Sequence, residues 1–97
     1  MANKVTQERI NYLMKNAHWD VQTVYGKCTV VSCQLENGFV LTESSACVDP
    51  ENYDPEIGVE ICRKRIEDRL WYLEGYLMQV QEYENRLRIR ELRKQTP

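Results

Sequence analysis

Residues Pro55 to Lys94 read PEIGVEICRKRIEDRLWYLEGYLMQVQEYENRLRIRELRK, and this stretch decides the fold. Asp54 supplies a capping carboxylate immediately before a proline whose fixed φ suits the first helical position. Nothing within the stretch interrupts a helix except Gly75, which costs only about 1 kcal/mol relative to alanine. The sequence therefore predicts one long helix over 55–94.

The apolar residues of this helix form a main stripe with alternating three-four spacing and a second, partial stripe. A helix of nearly forty residues would extend ~55–60 Å, about twice the width of a domain of this size. One protomer is too small to cover both stripes. We therefore predict that residues 73–92 pair with the same helix of another subunit, with Gly75 permitting a close approach. The predicted oligomer interface comprises Ile66, Leu70, Leu73, Leu77, Val80 and Leu87.

The residues before the helix predict antiparallel strands over 19–46. Tyr25-Gly26-Lys27 supplies one turn, and Asn37-Gly38 is a hairpin signal. A two-residue loop would direct two large side chains to the polar face, so we predict a three-residue loop over 36–38 with Gly38 left-handed in a bulge. The residues that then share the core face are Val31, Cys33, Leu35, Phe39 and Leu41.

Two shorter elements complete the predicted fold. Residues 6–17 form an amphipathic helix with Thr6 as its N-cap, and 47–54 form a capping loop in which Asp49-Pro50 starts a short turn. The expected core face of the first helix comprises Ile10, Leu13, Met14 and Ala17. The fold class is α+β, one domain over 1–97. It consists of a short N-terminal helix, an antiparallel hairpin or three-stranded meander, and a long C-terminal helix that mediates oligomerisation.

Composition limits the function classes. With 97 residues, 42% hydrophobic and 29% charged, the chain suits one globular domain. It shows no apolar run of the ~20 residues that cross a bilayer and no hydrophobic signal core, so we expect no membrane partner. Without a secretory signal, we expect four free thiols at Cys28, Cys33, Cys47 and Cys62. A zinc site joining these cysteines to His18 is disfavoured, because Cys28 and Cys33 are too far apart along an extended strand.

The sequence offers little catalytic chemistry. It lacks a Gly-rich phosphate loop and a His-Glu-x-x-His motif, and His18 is its single histidine. Cys47, near the entry to the long helix, is a conceivable nucleophile, but a small buried residue under a loop is the simpler interpretation. We therefore predict a protein that is not an enzyme and needs no metal or cofactor, with a cysteine- or metal-dependent enzyme as the third hypothesis.

The basic end of the long helix raises the question of nucleic acid. Its cations are Arg86, Arg88, Arg90, Arg93 and Lys94, but glutamates interrupt them, and the chain has a net charge of -2 with a pI of about 5.4. This is a poor footprint for a polyphosphate. A nucleotide-sized ligand at a subunit junction suits the cations, hydroxyls and aromatic rings better, although a structural salt-bridge set is the alternative. The candidate ligand-binding residues are Trp19, Lys27, Glu43, Ser44, Ser45, Asn52, Tyr53, Arg63 and Arg69.

Three runs carry a family resemblance: NGF at 37–39, ESSACVDPENYDPEIG at 43–58 and LWYLEGYL at 70–77. They resemble the small tailed-phage protein family labelled by the gene 49 and gene 66 products of coliphages. The resemblance spans Val5 to Leu77; the stretch 20–27 lacks the family's usual proline-glycine-type turn, and the tail beyond Gln79 is longer. It implies a non-virion accessory protein in the host bacterial cytoplasm, with no assigned catalytic residue.

This context suggests a function by analogy with small phage proteins that antagonise host immunity. The leading hypothesis is a non-enzymatic, homo-oligomeric binding protein that sequesters a small nucleotide signal or caps a host defence protein. The alternative is a nucleic-acid-binding phage regulator that uses the basic helix end.

Overall fold

The computed structural model describes residues 4–95, which form two helices and one small sheet. The elements are α1 (Gln7–Lys15), β1 (His18–Val24), β2 (Cys28–Gln34), β3 (Val40–Ala46), a single 3-10 turn (Pro50–Asn52) and α2 (Pro55–Lys94). The strands are antiparallel in the order β1-β2-β3, which is the three-stranded meander. The predicted α+β arrangement is confirmed.

The helix α1 begins where the sequence places its cap. The Thr6 hydroxyl accepts a hydrogen bond of 3.1 Å from the Arg9 amide, which satisfies one of the otherwise unpaired first-turn donors. Ile10 is completely buried, and Leu13 and Met14 pack against the core from the same side. The predicted core face of α1 is therefore confirmed.

The second hairpin adopts the three-residue loop. The Leu35 amide donates to the Phe39 carbonyl over 2.9 Å, and Gln34 pairs with Val40, so residues 36–38 form the loop. Gly38 has a φ of +94°, a conformation that side-chain-bearing residues rarely adopt. One part of the prediction needs correction: Phe39 is 48% exposed, because it lies at the margin of the sheet beside Leu73 and not in the core.

Two aspartates set the start of the capping loop's turn and of α2. Asp49 accepts a hydrogen bond of 3.0 Å from the Glu51 amide, and Asp54 accepts one of 2.9 Å from the Glu56 amide. Each carboxylate also lies at the positive end of the backbone dipoles that follow it. The start of α2 at Pro55 is thus fixed by local chemistry.

The helix α2 crosses β2 and β3 and closes the core from one side of the sheet. At Gly58 the backbones approach so closely that an added Cβ would lie 2.8 Å from the Cβ of Thr29, below any ordinary contact. The buried apolar residues are Ile10, Val31, Cys33, Leu35, Leu41, Cys62, Ile66 and Leu70. The core therefore uses only the first part of α2.

The remaining part of α2 projects from the body. The helix continues through Gly75 to Lys94, and the molecule measures 74 × 22 × 21 Å. The radius of gyration is 19.3 Å, whereas a compact chain of this length would have about 12–13 Å. Within the described residues, no helix joins sufficient length to sufficient apolar character to cross a bilayer.

Candidate functional site

The candidate ligand-binding residues lie in three places, because α2 separates them. Arg63 contacts Trp19 on the side of α1, whereas Arg69 reaches over β3. Residues six positions apart on an α-helix point in directions about 120° apart around its axis. We call these surfaces the α1 flank and the β3 flank; the third place is the capping loop.

On the α1 flank, the Arg63 guanidinium stacks on the Trp19 ring, with 4.2 Å between its central carbon and the ring centroid. The Trp19 indole N–H donates to the Met14 carbonyl over 2.9 Å, which fixes the ring beside α1. An open trough of about 530 Å³ lies alongside, lined by Asn11, Met14, Lys15, Glu60, Arg63, Lys64 and Glu67. Two glutamates offset most of the charge of its three cations. The trough is therefore a weak site for an anion, and one face of Trp19 is already occupied.

On the β3 flank, two arginines of α2 reach the outer edge of the sheet. Arg65 donates to the Ser44 carbonyl over 2.7 Å, and Arg69 donates to the Thr42 carbonyl over 3.1 Å. Alternate carbonyls of an edge strand point away from the sheet, and these two would otherwise be open to another chain. Arg69 also pairs with the Glu43 carboxylate at 3.2 Å. The structure thus brings Glu43, Ser44 and Arg69 together.

Two exposed aromatic rings extend the β3 flank. Phe39 is 48% exposed and Tyr72 is 85% exposed. Together with Asp68, Arg69 and Leu73 they line an open cavity of about 310 Å³. Sequence reasoning missed both rings as site residues. Tyr72 could have been found, because residues three apart share a helical face and Tyr72 is three residues after Arg69.

In the capping loop, the hydroxyl of Tyr53 ties the loop to the sheet. Its oxygen lies 2.9 Å from the Thr23 hydroxyl and 2.7 Å from the hydroxyl of the buried Thr29. Lys27 donates to the Val48 carbonyl over 3.3 Å. The predicted residues Ser45, Asn52 and Tyr53 line one cavity of about 160 Å³. This volume is below the ~300 Å³ at which small-molecule pockets begin, so the loop alone does not enclose a nucleotide.

The four cysteines are free, as the sequence predicts. Burial raises the pKa of the Cys33 and Cys62 thiols, which keeps them protonated and weakly nucleophilic at neutral pH. The Cys47 sulfur lies 3.2 Å from the Asp49 carbonyl within the capping loop. Within residues 4–95, no group of three or more histidine, cysteine or acidic side chains is arranged to hold a metal ion.

The predicted oligomer residues divide into two groups. Ile66 and Leu70 are 0% and 1% exposed, respectively, and belong to the protomer's own core, so their assignment to an oligomer interface is corrected. They lie on the α2 face that the sheet covers, and they have no surface left for a partner. Beyond the sheet, the same spacing leaves Leu73, Leu77 and Leu87 between 37% and 45% exposed. Val80, between them, is partly exposed.

Gly75 does not lie on this exposed stripe. Residues two apart on an α-helix point in directions about 160° apart, so Gly75 is on the opposite side of α2 from Leu73 and Leu77. Open space surrounds the position where its Cβ would be. The expectation that Gly75 permits a close approach within the oligomer seam is therefore corrected.

A family model for the Phage protein (N4 Gp49/phage Sf6 gene 66) family matches residues 5–81. The chain belongs to this phage protein family. A search of curated proteins and a search of solved structures each found no match.

The matched range shows which surfaces of this phage protein fall within the family's pattern. Residues 5–81 contain α1, the sheet, the capping loop and α2 as far as Gln81. The β3 flank is thus entirely inside the match. The basic end of α2, which we define as residues 86–94, lies beyond it and is exposed along its whole length.

Proposed function

We propose that this phage protein is a non-enzymatic binding protein that antagonises host antiviral defence by sequestering a small nucleotide signal. The observation that carries the proposal is the β3 flank, where the Arg69 guanidinium lies beside the exposed rings of Phe39 and Tyr72. A guanidinium binds phosphate oxygens through charge-assisted hydrogen bonds, and an aromatic ring stacks on a base. The two groups together fit a nucleotide better than either fits alone.

The β3 flank also contains groups that can select among nucleotides. The Glu43 carboxylate accepts a hydrogen bond from Arg69, and an acceptor of this kind also suits a ribose hydroxyl. The Arg65 guanidinium lies one helical turn before Arg69 and donates to the Ser44 carbonyl of β3. A phosphate entering between the two arginines would replace the neutral carbonyls of Ser44 and Thr42 with a charged acceptor, which strengthens those hydrogen bonds, and would displace the Glu43 carboxylate from Arg69.

A second subunit is part of the proposal. The cavity on the β3 flank is open, and its volume of about 310 Å³ is at the lower end for a small-molecule pocket. Tight binding requires that most of the ligand surface be buried. We therefore place the working site at a subunit junction, where the exposed stripe of Leu73, Leu77, Val80 and Leu87 pairs with another copy of α2 and supplies the missing wall.

Calorimetry against a panel of cyclic nucleotides and ADP-ribose derivatives tests the proposal. Arg69→Ala should weaken binding by roughly 10- to 150-fold, because a hydrogen bond between charged groups is worth about 1.5–3 kcal/mol. Lys15→Ala is the matched control: Lys15 is also an exposed cation, but it lies at the end of α1 and lines the trough of the α1 flank. The proposal would be contradicted if neither class of compound gave a heat of binding, or if both variants lost affinity equally.

Recovery of the ligand separates sequestration from catalysis. After binding, the protein is denatured and the released compound is identified by mass spectrometry. Sequestration predicts that the compound returns unchanged and in a fixed ratio to subunits. A cleaved or modified compound, or turnover beyond that ratio, would show an enzyme.

Capping of a host defence protein is the second candidate, and the exposed apolar stripe of α2 favours it. Such a surface, if it stays unpaired on the isolated protein, is typical of a site that receives a protein partner. A pull-down from infected host lysate with wild-type protein and with Leu87→Lys compares the two. Retention of one host protein at fixed stoichiometry by the wild type alone would support capping over nucleotide binding.

A further inference from the structure

We infer that two copies of this chain pair their α2 helices antiparallel, with the two-fold axis passing near Glu82. The inference rests on the self-association included in the proposed function and specifies its direction and register. In this arrangement, the basic end of each α2 lies alongside residues 70–78 of the other. Three observations carry it: the glutamates of the stripe, the distribution of charge along α2, and a groove in the body.

The exposed stripe of α2 contains two glutamates as well as its apolar residues. Its three-four spacing continues through Leu73, Leu77, Val80, Glu84, Leu87 and Glu91. With this spacing, each residue lies within about 40° of a common line along the helix. In heptad terms, residues 77, 84 and 91 occupy one core position (a), and residues 73, 80 and 87 occupy the other (d).

The glutamates exclude a parallel, in-register pair. In a parallel pair each core residue faces its own copy, so Glu84 would meet Glu84 of the partner subunit, and Glu91 would meet Glu91 of the partner subunit. Facing like charges destabilise a helix pair, and the cost rises when the seam excludes water. An antiparallel pair places each a position against a d position, so no carboxylate meets another.

One register serves both the apolar residues and the glutamates. A two-fold axis near Glu82 pairs residues that lie equal numbers of positions before and after it. Leu77 then faces Leu87 of the partner subunit, and both leucines are now partly exposed. Val80 faces Glu84 of the partner subunit close to the axis, where the glutamate side chain can extend past the valine into water.

The charges along α2 favour the same direction. Residues 70–78 contain one acidic residue, Glu74, and no cation, a net charge of -1. Residues 86–94 contain five cations and one glutamate, a net charge of +4. The antiparallel register brings these two segments together and places Glu74 near Arg88 of the partner subunit. A parallel pair would instead place each segment against its own like charge.

The body provides a groove where the partner's helix end would lie. The groove lies between α1 and the loop of the second hairpin, has a volume of about 190 Å³, and continues the exposed stripe. Its lining includes Arg9, Leu13, Leu73, Glu74 and Leu77. In the proposed register, Glu91 of the partner subunit arrives over Leu73, next to the half-exposed Arg9, which also pairs with Glu74 of its own subunit at 2.6 Å. Glu91, the second glutamate of the exposed stripe, thus lies near a cation.

Mixed disulfide formation tests the register directly. Leu77→Cys and Leu87→Cys are purified separately and oxidised briefly, alone and as an equal mixture, with wild type as the control for the native thiols. We expect a disulfide dimer in the mixture and little in either variant alone. Like positions would lie ~15 Å apart along the axis, and a disulfide requires a Cα–Cα distance below about 7 Å. Strong self-crosslinking of each single variant would show a parallel pair and overturn the inference.

A second measurement tests the register without substitutions in the exposed stripe. A spin label on Gln95→Cys, at the exposed C-terminal end of α2, reports the distance between the two helix ends. The antiparallel register places the two labelled residues ~39 Å apart along the axis, whereas a parallel pair places them side by side. Light scattering distinguishes a failure of the pairing from a failure of the register. A wild-type monomer at micromolar concentration would overturn the pairing and the proposed oligomer together, whereas a dimer with close labels would overturn the register alone.

Discussion

The close approach of Gly58 to Thr29 makes a sharp prediction, because the chain contains a second helical glycine as a control. Gly58→Ala adds a methyl group 2.8 Å from the Cβ of Thr29, where ordinary contacts are 3.4–4 Å. A rotamer change of Thr29 does not move its Cβ, so α2 must move away from β2. Gly75→Ala adds the same methyl group to the same helix in open space. The two substitutions therefore differ only in what surrounds them.

The magnitudes follow from opposing terms. Alanine gains about 1 kcal/mol of helix propensity at either position. At Gly58 this gain is opposed by overpacking of about 1–3 kcal/mol. Displacement of Thr29 also disturbs the 2.7 Å hydrogen bond between its hydroxyl and that of Tyr53, a further loss of about 0.5–1.5 kcal/mol. We expect Gly58→Ala to lower the free energy of unfolding by about 1–3 kcal/mol and Gly75→Ala to raise it by about 0.5–1 kcal/mol.

Thermal and urea unfolding, followed by circular dichroism, measure both effects. For a domain of this size, the midpoint should fall by roughly 5–15 °C in Gly58→Ala and rise by a few degrees in Gly75→Ala. All variants are compared at one protein concentration, because self-association alters the midpoint. In a Thr29→Ala background, Gly58→Ala should cost less. The reasoning is refuted if Gly58→Ala stabilises the protein as much as Gly75→Ala does.

Three further predictions concern the rest of the body. Tyr53→Phe removes the hydroxyl that bridges two threonines, one of them buried, and should cost about 1–3 kcal/mol in urea unfolding, with unchanged helix content in the native state. Arg63→Ala uncovers one face of Trp19 and should shift its fluorescence to longer wavelength at a cost of about 1 kcal/mol; an unchanged spectrum would contradict the stacking. Burial holds the pKa of the Cys33 and Cys62 thiols above their ordinary value of 9.0. The protonated thiols therefore contribute stability that is present below pH 9.0 and lost as the pH rises through it, because the unfolded thiols ionise first. The free energy of unfolding should fall less steeply above this pH in the Cys33→Ala, Cys62→Ala double variant, and equal slopes would argue against buried thiols.

The elements fixed by neighbouring residues could be predicted from the sequence. The start of α2 follows from the carboxylate of Asp54 and the fixed φ of Pro55, both of which act within one helical turn. The hairpin register follows from the alternation of side chains about Gly38, since a slip of one residue would reverse every face. In both cases the deciding interactions lie within a few residues of one another.

The extent to which the sheet buries each face of α2 could not be predicted from neighbouring residues. Periodicity finds a stripe through Ile66, Leu70, Leu73 and Leu77 but does not say where the sheet stops covering it. The close approach at Gly58 was also missed, because a glycine inside a helix carries no sign of the strand that crosses it. Only the tertiary packing divides the stripe into a buried half and an exposed half.

The candidate site was predicted only in part, for a related reason. Residues near each other in sequence were expected to converge, yet α2 directs Arg63 and Arg69 to opposite flanks. The pairing of Arg69 with Glu43 joins residues 26 apart in sequence and depends on where β3 ends. The contribution of Phe39 depends on the same flank and appears only when the flank is assembled.

The arginines over β3 also affect solubility. An uncovered outer strand invites other chains to add themselves and grow into fibrils. Here Arg65 and Arg69 donate to the outward carbonyls of Ser44 and Thr42. Side chains of α2 therefore block the addition of another strand to β3. An anion that drew both guanidinium groups away would expose the outer edge of β3. Binding at the β3 flank would then lower the resistance to aggregation through the same two residues.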